Sequence, residues 1–120
     1  MASISLLKIA EKMKLENLTP EINLKGIKVT LPDNTRPALP MAGYFEHFEA
    51  TRLQVIGFVE YSYVKRMSEK EEKEMLEKLL DYPIPGIIFC RELHPDELFR
   101  QIAIEKGVPL LMTKRATSSF

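Results

Sequence analysis

Residues 86–113, GIIFCRELHPDELFRQIAIEKGVPLLMT, decide the fold. The run 86–90 is apolar without interruption, which is typical of a strand that is covered on both faces. A helix is predicted next, with Pro95 as its first residue, Asp96 and Glu97 near its positive end, and Gly107 at its end. Residues 108–112 form a second apolar run. Strand, helix and strand in this order predict a right-handed βαβ unit in a mainly parallel sheet.

The preceding stretch predicts another strand and more helix. Five residues between 53 and 59 form an apolar, partly β-branched run that suits a buried strand: Leu53, Val55, Ile56, Phe58 and Val59. Residues 60–67 predict a short helix. A longer helix begins after Ser68, because Ser68 and Glu71 have the spacing of a capping box. Four of its charged residues are interpreted as a solvated face: Glu69, Lys70, Glu72 and Lys73.

The first forty residues carry weaker signals. Residues 3–13 show the spacing of an amphipathic helix, and residues 15–18 and 27–31 are short β-prone pieces. Residues 34–44 contain two prolines and a glycine and predict an irregular connection. We therefore expect a single layered α/β domain over residues 1–120.

Composition limits the function classes. A chain of 120 residues and 13.8 kDa suits one domain. Its 17 basic residues are balanced by 17 acidic ones, which argues against nucleic-acid binding, since that needs a basic excess. No apolar run approaches the roughly 20 residues that span a bilayer, and charges interrupt the N-terminal apolar stretch, so a cytoplasmic protein is expected, with neither a signal peptide nor membrane contact. The single Cys90 excludes an internal disulfide and a cysteine-based zinc site.

The sequence lacks the motifs of nucleotide-binding and metal-binding sites. Glycine-built phosphate loops need several glycines at fixed spacing, and the five here are scattered at positions 26, 43, 57, 86 and 107. His47 and His94 lack partners at metal-binding spacing, so no metal site is predicted. Cys90 ends a strand and is expected to be a buried thiol rather than a nucleophile with His94 as its base.

The carboxyl ends of the predicted strands offer one candidate binding site. Arg91, Lys114 and Arg115 follow two neighbouring strands, at the edge where open parallel sheets usually bind ligands. Together they could favour an anion or an acidic partner. The alternative is that they only solvate the edge of the sheet.

A second candidate is the segment RPALPMAGYF at residues 36–45. It combines proline and glycine with two adjacent aromatic residues, so it has low unfolded-state entropy and much apolar surface. Arg36, Gly43, Tyr44 and Phe45 therefore belong either to a latch onto the sheet or to a contact surface for another domain or subunit.

Five short segments carry a resemblance to a known family through uncommon residues at particular separations: NTRP at 34–37, Leu39, AGYF at 42–45, RLQVIG at 52–57 and EYSY at 60–63. With this set, and nearly end to end, the chain resembles the N-terminal domain of bacterial HPr kinase/phosphorylase. The resemblance implies an α/β/α arrangement with three layers, similar to the N-terminal domains of muramyl-peptide ligases. It also implies a role in regulation or assembly for this domain.

The resemblance further implies a bifunctional parent enzyme of carbon catabolite repression in the sugar phosphotransferase system. Such enzymes phosphorylate a serine of the phosphocarrier HPr with ATP or pyrophosphate, reverse the reaction by phosphorolysis, and are typically hexameric. Their phosphate-binding loop, catalytic aspartate and Mg²⁺ site belong to a C-terminal kinase domain that would begin after Phe120. No catalytic residue is carried over, and the chain is expected to need no cofactor and to be inactive alone.

Two hypotheses from different classes remain open. The chain is either a non-catalytic regulatory or assembly module of such an enzyme, or a stand-alone sensor that binds a small anion at the strand carboxyl ends. A small enzyme dependent on Cys90 or a histidine is the least favoured alternative.

Overall fold

The computed structural model describes residues 3–30, 34–35, 37–46 and 48–115. Within these ranges the chain forms seven strands and five helices. In chain order they are β1 (Ser3–Ser5), α1 (Leu6–Lys12), β2 (Glu16–Asn17), β3 (Lys28–Thr30), β4 (Asn34–Thr35), α2 (Ala38–Met41), β5 (Leu53–Ile56), α3 (Phe58–Lys65), α4 (Glu69–Leu79), β6 (Ile87–Phe89), α5 (Glu97–Lys106) and β7 (Leu110–Met112).

The main sheet has the strand order β2-β7-β6-β5-β4. The pairs β4–β5, β5–β6 and β6–β7 are parallel, and β2 joins the edge antiparallel to β7. Strands β1 and β3 form a separate antiparallel ribbon. The predicted α/β class and the mainly parallel sheet are therefore confirmed.

The central strands are buried on both faces, as their apolar runs predict. On β6, Ile87 and Phe89 belong to the core that α4 and α5 cover. Ile88, between them, belongs to a second core that contains Leu6 and Ile9 of α1. The alternation of side chains along the strand thus separates two apolar layers, one on each side of the sheet.

Contacts between distant parts of the chain hold the N-terminal segment on the sheet. The fully buried Thr19 hydroxyl accepts a hydrogen bond from the Leu110 N–H at 3.0 Å. Arg100 of α5 donates from Nε to the Leu18 carbonyl at 2.9 Å, and its guanidinium lies 2.6 Å from a Glu21 carboxylate oxygen. These bonds satisfy polar groups at the edge where β2 meets β7.

The predicted helix over residues 3–13 is wrong at its start. Residues 3–5 pair with β3 as strand β1, and the helix begins at Leu6. Ser5 is its N-cap, since its hydroxyl accepts a hydrogen bond from the Leu7 N–H at 3.2 Å. The predicted irregular connection is also more regular than expected, because it contains β4 and the short helix α2.

Two further boundaries differ from the prediction. Phe58 and Val59 were expected in a strand, but they form the first turn of α3 and are exposed. Pro95 was expected as the first residue of α5, but Asp96 is the N-cap and accepts a hydrogen bond from the Phe99 N–H at 2.9 Å. In both places a side-chain carboxylate binds the first free N–H groups and thereby decides where the helix begins.

Other local predictions are confirmed. The Ser68 hydroxyl accepts from the Glu71 N–H at 3.2 Å, while the Glu71 carboxylate accepts from the Ser68 N–H at 2.9 Å. Gly107 ends α5 with a φ of 74°, the left-handed conformation that favours glycine. Among the described residues, no helix is both long enough and apolar enough to cross a membrane.

Candidate functional site

The structure brings the three predicted basic residues to one edge of the sheet. The loops after β6 and β7 are tied together, because the Arg91 N–H donates to the Arg115 carbonyl and the Glu92 N–H donates to the Thr113 carbonyl, both at 2.9 Å. Lys114 lies between the two residues of the β7 loop that accept these bonds. The placement at the strand carboxyl ends therefore follows the sequence prediction.

Side-chain contacts at this edge are specific. The Arg91 guanidinium carbon lies 4.9 Å from the ring centroid of Phe58, the first residue of α3, in cation–π geometry. The Lys114 ammonium is 3.9 Å from a Glu92 carboxylate oxygen. Arg91 and Glu92 have φ values of 56° and 57°, a left-handed conformation that costs about 1 kcal/mol or more per residue. The two inter-loop hydrogen bonds hold this strained turn in place.

The backbone of this edge is poorly suited to grip an anion. Five of its N–H groups already donate within the protein: those of Arg91, Glu92, Leu93, Thr113 and Arg115. A backbone nest for phosphate needs such groups to point outward. An anion here would depend on long exposed side chains, of which Lys114 has 83% of its side-chain surface exposed. Such contacts are strongly hydrated and individually weak.

At the N-terminus of α3, a side chain of the same helix takes the place that an anion would need. The Gly57 N–H donates to a Glu60 carboxylate oxygen at 2.9 Å, and Glu60 is only 2% exposed. This strand-to-helix turn is the position at which nucleotide-binding α/β folds hold a phosphate. A buried carboxylate at that point would repel a phosphate, so the turn acts as a helix cap and not as a phosphate site.

The two adjacent aromatic residues of the segment 36–45, Tyr44 and Phe45, have different environments. Phe45 stacks on Tyr82 with ring centroids 4.9 Å apart and meets Phe48 edge-on at 5.9 Å. Tyr44, in contrast, is 69% exposed. Gly43 has a φ of 99°, which a residue with a Cβ rarely adopts. Phe45 is therefore a latch against the chain after α4, and Tyr44 is the ring available for contacts; Arg36 and His47 lie outside the described residues.

A concave, mostly apolar groove lies between α2 and α3, next to this edge of the sheet. Its volume is about 530 Å³, and its lining includes Ala38, Ala42, Phe58, Val59 and Tyr63. We call it the α2–α3 groove. The apolar pattern of residues 53–59 gives no sign of this groove, because it predicts Phe58 and Val59 in a buried strand.

The predicted thiol burial is confirmed. Cys90 is fully buried at the end of β6, where a nucleophile could not reach a substrate. The His94 carbonyl accepts a hydrogen bond from the Tyr61 hydroxyl at 2.9 Å. In the part of the chain that the structure describes, no three His, Cys, Asp or Glu residues cluster as metal ligands would.

Glu72 corrects the interpretation of α4 as a helix whose charged residues are all solvated. It is only 6% exposed, and burial raises its pKa to about 7, helped by a hydrogen bond with Asp96 and by repulsion from that carboxylate. Glu69 also raises this pKa, whereas Lys65 lowers it. The spacing of Glu72 from the apolar residues at 75, 76 and 79 could have shown that it shares their face.

Taken together, these features describe an α/β module in which the strand carboxyl ends carry basic side chains, and the described loops at these ends show no phosphate cradle. The chain belongs to the family described as HPr Serine kinase N terminus, whose model matches residues 4–120.

Relatives of this chain are substantially longer. The HPr kinase/phosphorylase of Lachnoclostridium phytofermentans is 43% identical over 120 residues, which cover 100% of this chain and 39% of that protein. That of Shouchella clausii is 38% identical over 122 residues, covering 100% of this chain and 38% of that protein. The chain thus spans about two-fifths of the length of these relatives.

The fold also occurs in a solved structure of another protein. It contains the CBS and DRTGG domains of the regulatory region of Clostridium perfringens pyrophosphatase, in complex with the activator diadenosine tetraphosphate. The TM-score is 0.54 with 14% identity, and the match covers 96% of this chain and 43% of that one. The expected likeness to muramyl-peptide ligases stays a prediction.

Proposed function

We propose that this chain is the N-terminal, non-catalytic domain of a bifunctional HPr serine kinase/phosphorylase that acts in the cytoplasm in carbon catabolite repression, and that its role is regulatory or in assembly. The observation that carries the proposal is the family match over residues 4–120, combined with relatives of which the chain covers only 39%. The remaining three-fifths of such a protein has room for a complete kinase domain.

The geometry of the sheet edge supports the non-catalytic part of the proposal. Phosphoryl transfer depends on groups that hold the phosphates and a metal ion. Here the turn after β5 is capped by Glu60, and the N–H groups of the loops after β6 and β7 bond internally. In this proposal ATP, Mg²⁺ and the HPr serine are bound by the C-terminal kinase domain of the parent enzyme.

The catalytic test mixes the purified 120-residue chain with HPr, Mg²⁺ and either ATP or pyrophosphate. We expect no phosphoserine on HPr by mass spectrometry, whereas full-length L. phytofermentans HPr kinase/phosphorylase serves as the positive control. Any HPr phosphorylation by the chain alone would contradict the proposal.

The regulatory test replaces the N-terminal segment of that L. phytofermentans enzyme with this chain. We expect the chimera to phosphorylate HPr and to form homo-oligomers, with a hexamer expected for the parent. Deleting the segment should change regulation or the oligomeric mass by light scattering. Tyr44→Ala tests the exposed ring as an interface element, since it should change assembly of the chimera and leave its thermal stability unchanged.

A second candidate function is a sensor for a small anion. It is favoured by the convergence of Arg91, Lys114 and Arg115 at the carboxyl ends of β6 and β7. The C. perfringens regulatory region that shares the fold was solved with a nucleotide activator. Calorimetric titration with phosphate, sugar phosphates, ATP and diadenosine tetraphosphate tests this function. Binding that Lys114→Ala weakens would favour it, and the absence of heat at two temperatures would count against it.

A further inference from the structure

The α2–α3 groove carries an unusual concentration of exposed apolar side chains. Leu39 is 67% exposed, Phe58 55%, Val59 67% and Tyr63 41%. Phe58, Val59 and Tyr63 lie on α3 and line the groove, whereas Leu39 follows the lining residue Ala38 on α2 and extends the apolar surface next to it. Because the buried face of α3 is formed by Glu60 and Val64, these apolar residues occupy its outer face.

The size of this surface suits a protein segment. Four large side chains with more than two-fifths of their surface exposed present on the order of 300–500 Å² of apolar area, which is the size of the largest apolar patch on a typical monomer, often a functional one. That area matches the apolar share of one side of a standard interface of about 800 Å² per partner. Helix α3 has 8 residues and is about 12 Å long, so two to three turns of a partner helix would cover it.

Positive charge flanks both ends of the groove. Arg66 lines it at the C-terminal end of α3, and Arg91 lies over Phe58 at the N-terminal end. The acidic lining residue, Glu60, is buried and directs its carboxylate to the Gly57 N–H. The groove therefore offers apolar contact in its centre and cations at its ends.

From this arrangement we propose that the α2–α3 groove docks an amphipathic helix of a protein partner, with an apolar stripe and acidic residues at both ends. Charge complementarity selects this occupant. A second copy of the chain would bring the arginines of two grooves together, which like-charge repulsion disfavours. A small anion would leave the apolar surface uncovered.

The test uses two synthetic helical peptides of 14 residues with the same leucine stripe. One carries glutamates at both ends, and the other carries lysines at the same positions. In fluorescence anisotropy with the whole chain, we expect the acidic peptide to bind about tenfold or more tightly than the basic one, and to weaken as salt is raised.

Three variants localise the binding. Val59→Glu and Arg66→Glu should each weaken the acidic peptide about tenfold, and Arg66→Glu should raise the affinity for the basic peptide. Leu7→Glu is the matched control: Leu7 is 36% exposed and lies on α1, whose buried residues pack on the opposite side of the sheet, so this variant should bind as the unchanged chain does. Circular dichroism checks that each variant is folded.

Several outcomes would overturn the proposal. These are equal affinity for the two peptides, no binding of either at millimolar concentration, or binding that Val59→Glu leaves unchanged. A dimer of the chain in sedimentation that Val59→Glu dissociates would assign the groove to a second copy instead. None of these results depends on HPr phosphorylation. Failure of the docking proposal can therefore be distinguished from failure of the proposed function.

Discussion

Replacing Glu72 with glutamine is expected to remove most of the pH dependence of stability between pH 5 and pH 8. In the folded chain Glu72 is 6% exposed and has a pKa of about 7, against 4.5 for an ordinary glutamate. The unfolded chain therefore ionises this carboxyl group at a pH between two and three units lower than the folded chain does. Because the folded-state pKa is raised, the stabilisation is complete below pH 4.5 and is lost as pH rises through about 7.

The magnitude follows from the difference between the two pKa values. One pKa unit corresponds to about 1.4 kcal/mol, so the full effect is on the order of 3 kcal/mol. Between pH 5 and pH 8 the unchanged chain should lose about 2–3 kcal/mol of unfolding free energy, since part of the titration lies outside this window. That is a large share of the roughly 5–15 kcal/mol that stabilises a typical domain.

The physical cause is a contact between two helices. Glu72 on α4 is buried beside Asp96, whose carboxylate caps α5 by accepting from the Phe99 N–H at 2.9 Å. Ionisation would place two carboxylates together at this helix–helix contact, with Glu69 adding to the repulsion and Lys65 opposing it. A glutamine at position 72 keeps a donor towards Asp96 but cannot ionise.

Urea unfolding followed by circular dichroism at pH 5, 6, 7 and 8 measures the effect. We expect Glu72→Gln to equal the unchanged chain near pH 5 and to exceed it by about 2–3 kcal/mol at pH 8. Glu77→Gln, at an exposed position of the same helix, removes the same formal charge and should keep the original pH dependence. Parallel pH profiles for the unchanged chain and Glu72→Gln would refute the reasoning.

Three further substitutions test the contacts that define the elements, each by the urea midpoint at constant m-value. Thr19→Val should lower the free energy of unfolding by about 1–3 kcal/mol, because it leaves the buried Leu110 N–H without its acceptor. The control Thr51→Val, at an exposed position, should change it by less than about 0.5 kcal/mol. Ser68→Ala should cost about 1 kcal/mol through loss of the α4 cap, and a neutral result would show that Glu71 alone caps the helix. Gly107→Ala should cost about 1 kcal/mol, since a Cβ disfavours its φ of 74° even though space is available; unchanged stability would contradict the strain argument.

The sheet strands were predictable because their signals are local. An apolar run of strand length, a helix of about ten residues and a second apolar run have one favourable arrangement, the right-handed parallel unit that β6, α5 and β7 form. The signals for the helix caps are also local. Ser68 and Glu71 are three residues apart, and Gly107 ends α5 through the conformation of its own backbone. Burial of Cys90 followed from its place at the end of an apolar run.

Errors arose where a single contact overrides the pattern of the surrounding residues, and two of the three contacts below join parts of the chain that are distant in sequence. Phe58 and Val59 continue an apolar run, yet the buried Glu60 caps the helix before them and turns both residues outward. Glu72 belongs to a charged stretch, yet α5 covers it. Residues 3–5 fit a helical pattern, but pairing with β3 decides their conformation.

The amino-acid sequence by itself determined the α/β class, the parallel βαβ core and the lack of a glycine-rich phosphate loop, because each depends on residue types at short spacing. Only the tertiary structure decided that Arg91 meets Phe58, that Thr19 binds Leu110 from 91 positions away, and that an apolar groove opens between α2 and α3. These features depend on which distant surfaces pack together, and packing sets the burial, the charge environment and the free surface of each side chain.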